Sequence, residues 1–205
     1  MSVNIKAVHC GIIQENAYII SRAGRDDCVV VDPGDDYARL RQAVGERQVG
    51  AILLTHGHFD HILAVAPLAD ATGAPVYIHE ADAVMLNDSR LNGFTDLMGG
   101  VAQGPEIAAR PMGEHVEAAG LDFAVLHTPG HSKGSVCLYL PEEGVLFSGD
   151  TLFEAGHGRV DLYGGDMRSM LDSLRALFAL PGETKVYPGH GGPTTIARER
   201  ARYRL

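Results

Sequence analysis

The stretch Thr55-His56-Gly57-His58-Phe59-Asp60-His61 constrains this chain more than any other. The apolar run Ala51-Ile52-Leu53-Leu54 before it has the length of a buried strand. Ile62-Leu63-Ala64-Val65-Ala66 after it reads as the start of a helix. Four potential metal ligands therefore occupy one strand-to-helix turn. Residues two apart in an extended segment project to the same side, so His56 and His58 can offer two imidazoles to one cation. Asp60 and His61 follow where the chain turns, close enough to serve a second ion a few ångströms from the first. As mere packing, the motif would hold four polar groups near a core with nothing to satisfy them, so metal binding is the expectation.

With 205 residues, the chain suits a single domain spanning residues 1–205, elaborated by one long loop, and can enclose a sizeable core. A formal net charge of −9 argues against nucleic acid held in a basic groove, so no nucleic-acid partner is expected. Cys10, Cys28 and Cys137 show no C-x-x-C spacing, which gives neither a thiolate zinc site nor a disulfide framework and fits a reducing cytoplasm. The first residues lack a basic flank followed by a long apolar run, and no stretch reaches transmembrane length. A cytoplasmic protein with no membrane partner is expected. The oligomeric state is not legible at this level.

Strand-like runs at 3–8, 16–21 and 28–31, with a turn at 24–27, predict an antiparallel start. Asp32-Pro33-Gly34 ends the third run, and a cap on the following helix is favoured for Asp32 over a place behind the metal site. Tyr37, Leu40 and Val44 predict an amphipathic helix over 36–47. A helix from His61 is expected to be interrupted or bent near Pro67 and to close around Thr72-Gly73. A strand at 76–78 and a short helix at 80–85 follow. Between residues 87 and 114, Gly93, Gly99, Gly100, Gly104, Pro105, Pro111 and Gly113 break any period and predict a long irregular loop. Its Leu91, Phe94, Leu97 and Met98, with Met85 just before it, suit either an apolar wall over a substrate or simple packing of the loop.

A strand at 123–126 leads into His127-Thr128-Pro129-Gly130-His131, where the Pro-Gly pair can turn His131 inward. His127, four residues earlier, is expected behind the ligands or exposed. A hairpin of strands at 135–140 and 145–147 runs into Ser148-Gly149-Asp150-Thr151, and Asp150 is the candidate carboxylate bridging two metals. Arg159 and Asp161 are expected mainly to fix their loop. Met167, Met170, Leu171, Leu174, Leu177 and Phe178 form a helical stripe that reads as core. A last strand at 185–187 delivers Pro188-Gly189-His190-Gly191. Thr194 suits the cap of a final helix running to about Arg202, basic at Arg198, Arg200, Arg202 and Arg204. Both halves deliver polar residues from strand ends, as two face-to-face sheets with helices outside would require.

The set His56, His58, Asp60, His61, His131, Asp150 and His190 resembles the ligand pattern of the glyoxalase II-like branch of the metallo-β-lactamase superfamily, in the same chain order. The flanking words His127-Thr128-Pro129-Gly130-His131, Ser148-Gly149-Asp150-Thr151 and Tyr187-Pro188-Gly189-His190-Gly191 match too, so the similarity runs from about Asn16 to Gly192. The resemblance implies an α/β fold, the four-layer αββα sandwich, with the metals at one edge. It implies that His56, His58 and His131 hold one ion, that Asp60, His61 and His190 hold the other, and that Asp150 touches both. Two divalent ions are then expected, zinc first and iron or manganese as alternatives. Asp60 and Asp150 are the expected catalytic residues.

The activity implied is hydrolysis of a small-molecule thioester of the S-acylglutathione type by a metal-bridging hydroxide. The chain ends soon after His190 and resembles the short, single-domain hydrolases of this branch, without the helical domain that supplies basic residues for glutathione. Recognition by the tail arginines or by the 87–114 loop are both open. The alternative is a mononuclear non-haem iron persulfide dioxygenase using His56, His131 and Asp150, and a lactonase stands behind both. An aspartate at 150, where some β-lactam-cleaving relatives carry cysteine, counts against a β-lactamase of that type.

Overall fold

The computed structural model describes residues 2–100 and 106–203. Gly104, Pro105 and Arg204, all singled out above, lie outside the described residues. In chain order the first half holds β1 (Val3–Cys10), β2 (Glu15–Arg22), β3 (Asp27–Val31), α1 (Tyr37–Val44), β4 (Gln48–Leu53), α2 (Val65–Thr72), β5 (Val76–Ile78), α3 (Phe94–Met98) and β6 (Arg110–Pro111). The second holds β7 (His115–Ala118), β8 (Leu121–His127), β9 (Val136–Leu140), β10 (Val145–Gly149), α4 (Met167–Leu177), β11 (Lys185–Pro188), β12 (Thr194–Thr195) and α5 (Ile196–Arg200). Short 3-10 turns cover Phe59–His61 and Glu80–Asn87.

Each half makes one six-stranded sheet, in the orders β1-β2-β3-β4-β5-β6 and β12-β11-β10-β9-β8-β7. Strand periodicity explains how they stack. On β2, Tyr18 and Ile20 face the second sheet, where Phe123, Leu138 and Phe147 meet them, while Ala17 and Ile19 face outward under α1 and α2. On the second sheet, Cys137, Leu146 and Val186 turn outward to Met170, Leu174 and Leu177 of α4. The result is the expected αββα order of layers. Strands covered on both faces are apolar along their whole length, and Asn16 to Ser21 of β2 are accordingly all buried.

Several local expectations change. Pro67 does not bend a helix. It lies in the first turn of α2, where the proline's missing N–H has no partner to lose, and the preceding turn at Phe59–His61 is separate. Met167 is 45% exposed and leaves the core stripe, because it opens α4 ahead of the packed face while Asp166 caps the helix by accepting from Ser169 N at 2.7 Å. Thr195, not Thr194, caps α5, and the Thr194 hydroxyl donates to Glu199 instead, at 2.5 Å. The long loop is interrupted by α3 and by β6, which adds a parallel edge strand beside β5. All three cysteines are buried and free. No helix among the described residues is long and apolar enough to cross a membrane.

Candidate metal centre

The parallel strands β3 and β4 of the first sheet, and β10 and β11 of the second, end at the same edge of the sandwich, and the seven candidate ligands gather there. His56 and His58 leave the end of β4, Asp60 and His61 sit in the 3-10 turn, and His131, Asp150 and His190 follow β8, β10 and β11. A backbone bond from Val136 N to Thr55 O at 2.8 Å ties the two sheets together beside the site. Gly149 adopts φ +47 and its missing Cβ makes room for Thr55, while a Cβ on Gly189 would fall on Asp150 Oδ1 and His61 Cε1.

Ligand atoms of His56, His58 and His131 lie within 4.8 Å of one another, and so do those of Asp60, His61 and His190. Asp150 reaches both groups, with Oδ2 3.5 Å from His131 Nε2 and Oδ1 3.4 Å from His61 Nε2. His190 Nε2 is 3.2 Å from Asp60 Oδ2 and 3.6 Å from Asp150 Oδ2. His56 Nε2, His61 Nε2 and Asp150 Oδ1 are buried without a hydrogen-bond partner, which a well-packed protein rarely tolerates. His131 Nδ1 donates to Arg159 O at 2.7 Å, which leaves its Nε2 lone pair 2.7 Å from His58 Nδ1. Two nitrogens that close share either a hydrogen on His58 Nδ1 or a metal ion. The residues present fit a divalent metal.

The electrostatics divide the two groups. Burial, reinforced by the neighbouring imidazoles, holds His56 well below the usual histidine range and pushes His58 down to about 3. Burial also opposes charge on His61, yet the carboxylates of Asp60 and Asp150 and its bond to Asp32 lift it well above that range. The histidines facing Asp150, His61 foremost, outweigh its own burial and hold its carboxyl well down. A bound metal requires a neutral imidazole. Loading of the metal-free protein at pH 7 is therefore expected to release a proton from His61, beside any released by metal-bound water, and none from His56 or His58. Calorimetric titration in two buffers of different ionisation heat measures the count, and release confined to the first ion bound at the three-histidine group would contradict it.

Three carboxyls behind the ligands were not assigned to the site from sequence. Asp32 does not cap α1. Held at φ +47, it accepts from Thr55 N and Oγ1 at 2.7 and 2.6 Å and from His61 Nδ1 at 3.1 Å, which aims His61 Nε2 into the centre. Asp32→Asn is expected to weaken metal binding at the Asp60–His61–His190 group by about 10–100-fold, as measured by competition with a chromophoric chelator. Asp82, fully buried, accepts from Gly57 N (3.1 Å), Ser132 Oγ (2.6 Å) and Gly134 N (2.6 Å), so one side chain fixes both the His56–His58 segment and the loop after His131. Glu15 lies with Oε1 3.8 Å from His61 Nδ1, and burial pushes its carboxyl well up.

Asn16 Nδ2 donates to Pro188 O at 3.0 Å and Gly191 O at 2.9 Å, and Tyr18 OH donates to Pro188 O at 2.6 Å, so β2 braces the His190 turn. Arg159 and Asp161 pair bidentately at 2.6 and 2.8 Å, as a loop-fixing role requires. His127 is exposed, stacked on His79 and bonded to Lys133 O, away from the ligands. Of the tail arginines, Arg198 pairs with Glu154, Arg200 donates to Phe178 O and Arg202 pairs with Glu199.

A cavity of about 350 Å³ opens over the ligands, walled by Ile13, Phe59, Asn92, Leu97, Phe153 and Leu162, with Arg159 beside them. Of the loop residues in question, Leu97 lines it. Met85 is instead fully buried beneath Gly57, and Phe94 packs edge-on against Phe59.

An αββα sandwich carrying a His/Asp metal-binding cluster at one sheet edge defines the class of protein. Residues 10–190 match the metallo-beta-lactamase superfamily, and the chain belongs to that family. Among solved structures it is similar to the BLEG-1 B3 metallo-beta-lactamase, with 39% identity, a TM-score of 0.90 and 97% of each chain covered. It is similar also to TTHA1623 in a di-iron-bound form, with 41% identity, a TM-score of 0.85 and 97% and 98% covered. A hydroxyacylglutathione hydrolase of Ectopseudomonas mendocina is 39% identical over 165 residues, 80% of this chain and 56% of that protein.

Proposed function

We propose that this protein is a metal-dependent hydrolase that cleaves a thioester of the S-acylglutathione type. The observation that carries the reading is the composition of the cavity wall. Among its described residues, the titratable side chains are the candidate ligands and Arg159. A guanidinium keeps its protons, so no wall residue stands ready to protonate a departing amine. A thioester needs no such donor, because a thiol of pKa ~8.5 leaves as thiolate. The identity to the hydroxyacylglutathione hydrolase supports the same class of substrate.

His56, His58 and His131 would hold one ion, Asp60, His61 and His190 the other, and Asp150 would span the two. Two divalent cations bound there would supply ionised water at neutral pH and a Lewis acid for the thioester carbonyl. Imidazole and carboxylate donors suit zinc, iron and manganese, and the di-iron relative supports iron beside zinc. Asp32 and the Arg159 carbonyl hold the rings of His61 and His131 in place, and the apolar wall keeps bulk water from the reacting carbonyl.

The test is metal content by mass spectrometry on protein purified without added metal, paired with hydrolysis of S-D-lactoylglutathione and longer S-acylglutathiones. Two metals per chain with turnover is the expected result. One iron per chain, no hydrolysis, and oxygen uptake with glutathione persulfide would replace the reading by a dioxygenase.

A further inference from the structure

The cavity over the ligands has a chemical character that the thioester reading alone does not specify. Outside the candidate ligands, Ile13, Phe59, Leu97, Phe153 and Leu162 supply most of its wall. Its polar members outside the ligand set are few. Asn92 Oδ1 is already engaged by Phe94 N at 3.0 Å, and Arg159, the one Arg or Lys among the described lining residues, is held bidentately by Asp161. Ile13 and Leu97 are 40% and 50% exposed and place apolar surface at the mouth of the cavity. About 350 Å³ lies at the small end of ligand pockets, enough for one substituent of a substrate rather than a whole cofactor.

Resting on the thioester reading, we propose that this cavity binds the acyl group of the substrate, and that the acyl group is an apolar chain rather than a small hydroxylated one. The placement follows from which half of the substrate can be apolar. Glutathione carries two carboxylates and an ammonium, which this wall would bury largely without partners, and unpaired buried charge is strongly disfavoured. The thiol half therefore stays in solvent at the mouth, and with the carbonyl at the ligand cluster the acyl chain extends along Phe59, Leu97 and Leu162. In the reaction, water oxygen bonds to the acyl carbon and the carbon–sulfur pair leaves with sulfur. The products are a carboxylate, the thiol and one proton, with no redox partner required. A D-lactoyl group carries a single methyl beyond its hydroxylated carbon and leaves most of the apolar wall uncovered, whereas each methylene of a longer chain gains by leaving water.

The experiment uses the metal-loaded protein and three substrates that share one thiol: S-octanoyl-, S-acetyl- and S-D-lactoylglutathione. The octanoyl ester is expected to exceed the other two in kcat/KM by at least roughly tenfold, mainly through KM. Leu97→Asp and Ile13→Asp, at exposed rim positions, are expected to bring the octanoyl-to-acetyl ratio toward one. Equal values for the octanoyl and acetyl esters, or a preference for the lactoyl ester, would overturn the assignment while the thioesterase reading stands. Should none of the three be cleaved, calorimetry with S-octylglutathione and S-methylglutathione, which have no carbonyl to lose, decides the pocket separately. Tighter binding of the octyl compound, lost in Leu97→Asp, keeps the apolar pocket and removes the thioesterase reading. Equal binding of the two removes both.

Discussion

Asp150→Ala is expected to lower kcat/KM by roughly a thousandfold or more and to leave at most one metal ion per chain. The size follows from charge stabilisation at such a centre being worth several kcal/mol, with each 1.36 kcal/mol a factor of ten in rate. The expected loss of stoichiometry follows from position, since Asp150 turns one carboxylate oxygen to each group, Oδ2 3.5 Å from His131 Nε2 and Oδ1 3.4 Å from His61 Nε2. Its removal also takes away one of the carboxylates that raise His61. Metal analysis and steady-state kinetics on one preparation check both halves. Two tightly held ions in the variant, with activity within tenfold of the parent, would falsify the bridging role.

Asp82→Ala is expected to destabilise the protein by about 3 kcal/mol or more while touching no candidate ligand. Three donors, Gly57 N, Ser132 Oγ and Gly134 N, converge on this carboxyl. Each buried group left unpaired costs about 1–3 kcal/mol. In a chain of this size each kcal/mol is worth about 2–4 °C, so the midpoint of thermal unfolding should fall by roughly 6–12 °C. Because Gly57 separates His56 from His58 and Ser132 follows His131, metal affinity at the three-histidine group should fall in parallel. Asp82→Asn keeps one acceptor and should lie between the parent and the alanine variant. Unchanged stability in Asp82→Ala would mean that the two loops hold themselves.

These two residues also mark how far the sequence could be read. Asp150 was visible, because a carboxylate after Ser148-Gly149 at the end of an apolar run has few other uses. Asp82 was not. Along the chain it is one acid among the polar residues of a short helix, and its partners lie 25, 50 and 52 residues away. Asp32 was seen as a strand terminator but given the wrong task, since its contacts with Thr55 and His61 lie 23 and 29 residues off. Glu15 reads as an ordinary acid at a strand start until the fold closes over it.

Strand positions were legible from apolar alternation, and helix faces from the spacing of Leu40 with Val44 and of Met170 with Leu174. Details near helix starts, at Pro67, Met167 and Thr194, were decided by which residue opens the first turn, a matter of one or two positions that periodicity does not resolve.

Donor types, their order and the two-residue spacing of His56 and His58 follow from the chain alone, because these depend only on side-chain chemistry and on the geometry of a few consecutive residues. The folded chain adds which carboxyls orient the candidate ligands, and that an apolar cavity stands over them. Those properties arise only where β4, β8, β10 and β11 end at one edge, and no local stretch of chain contains that meeting.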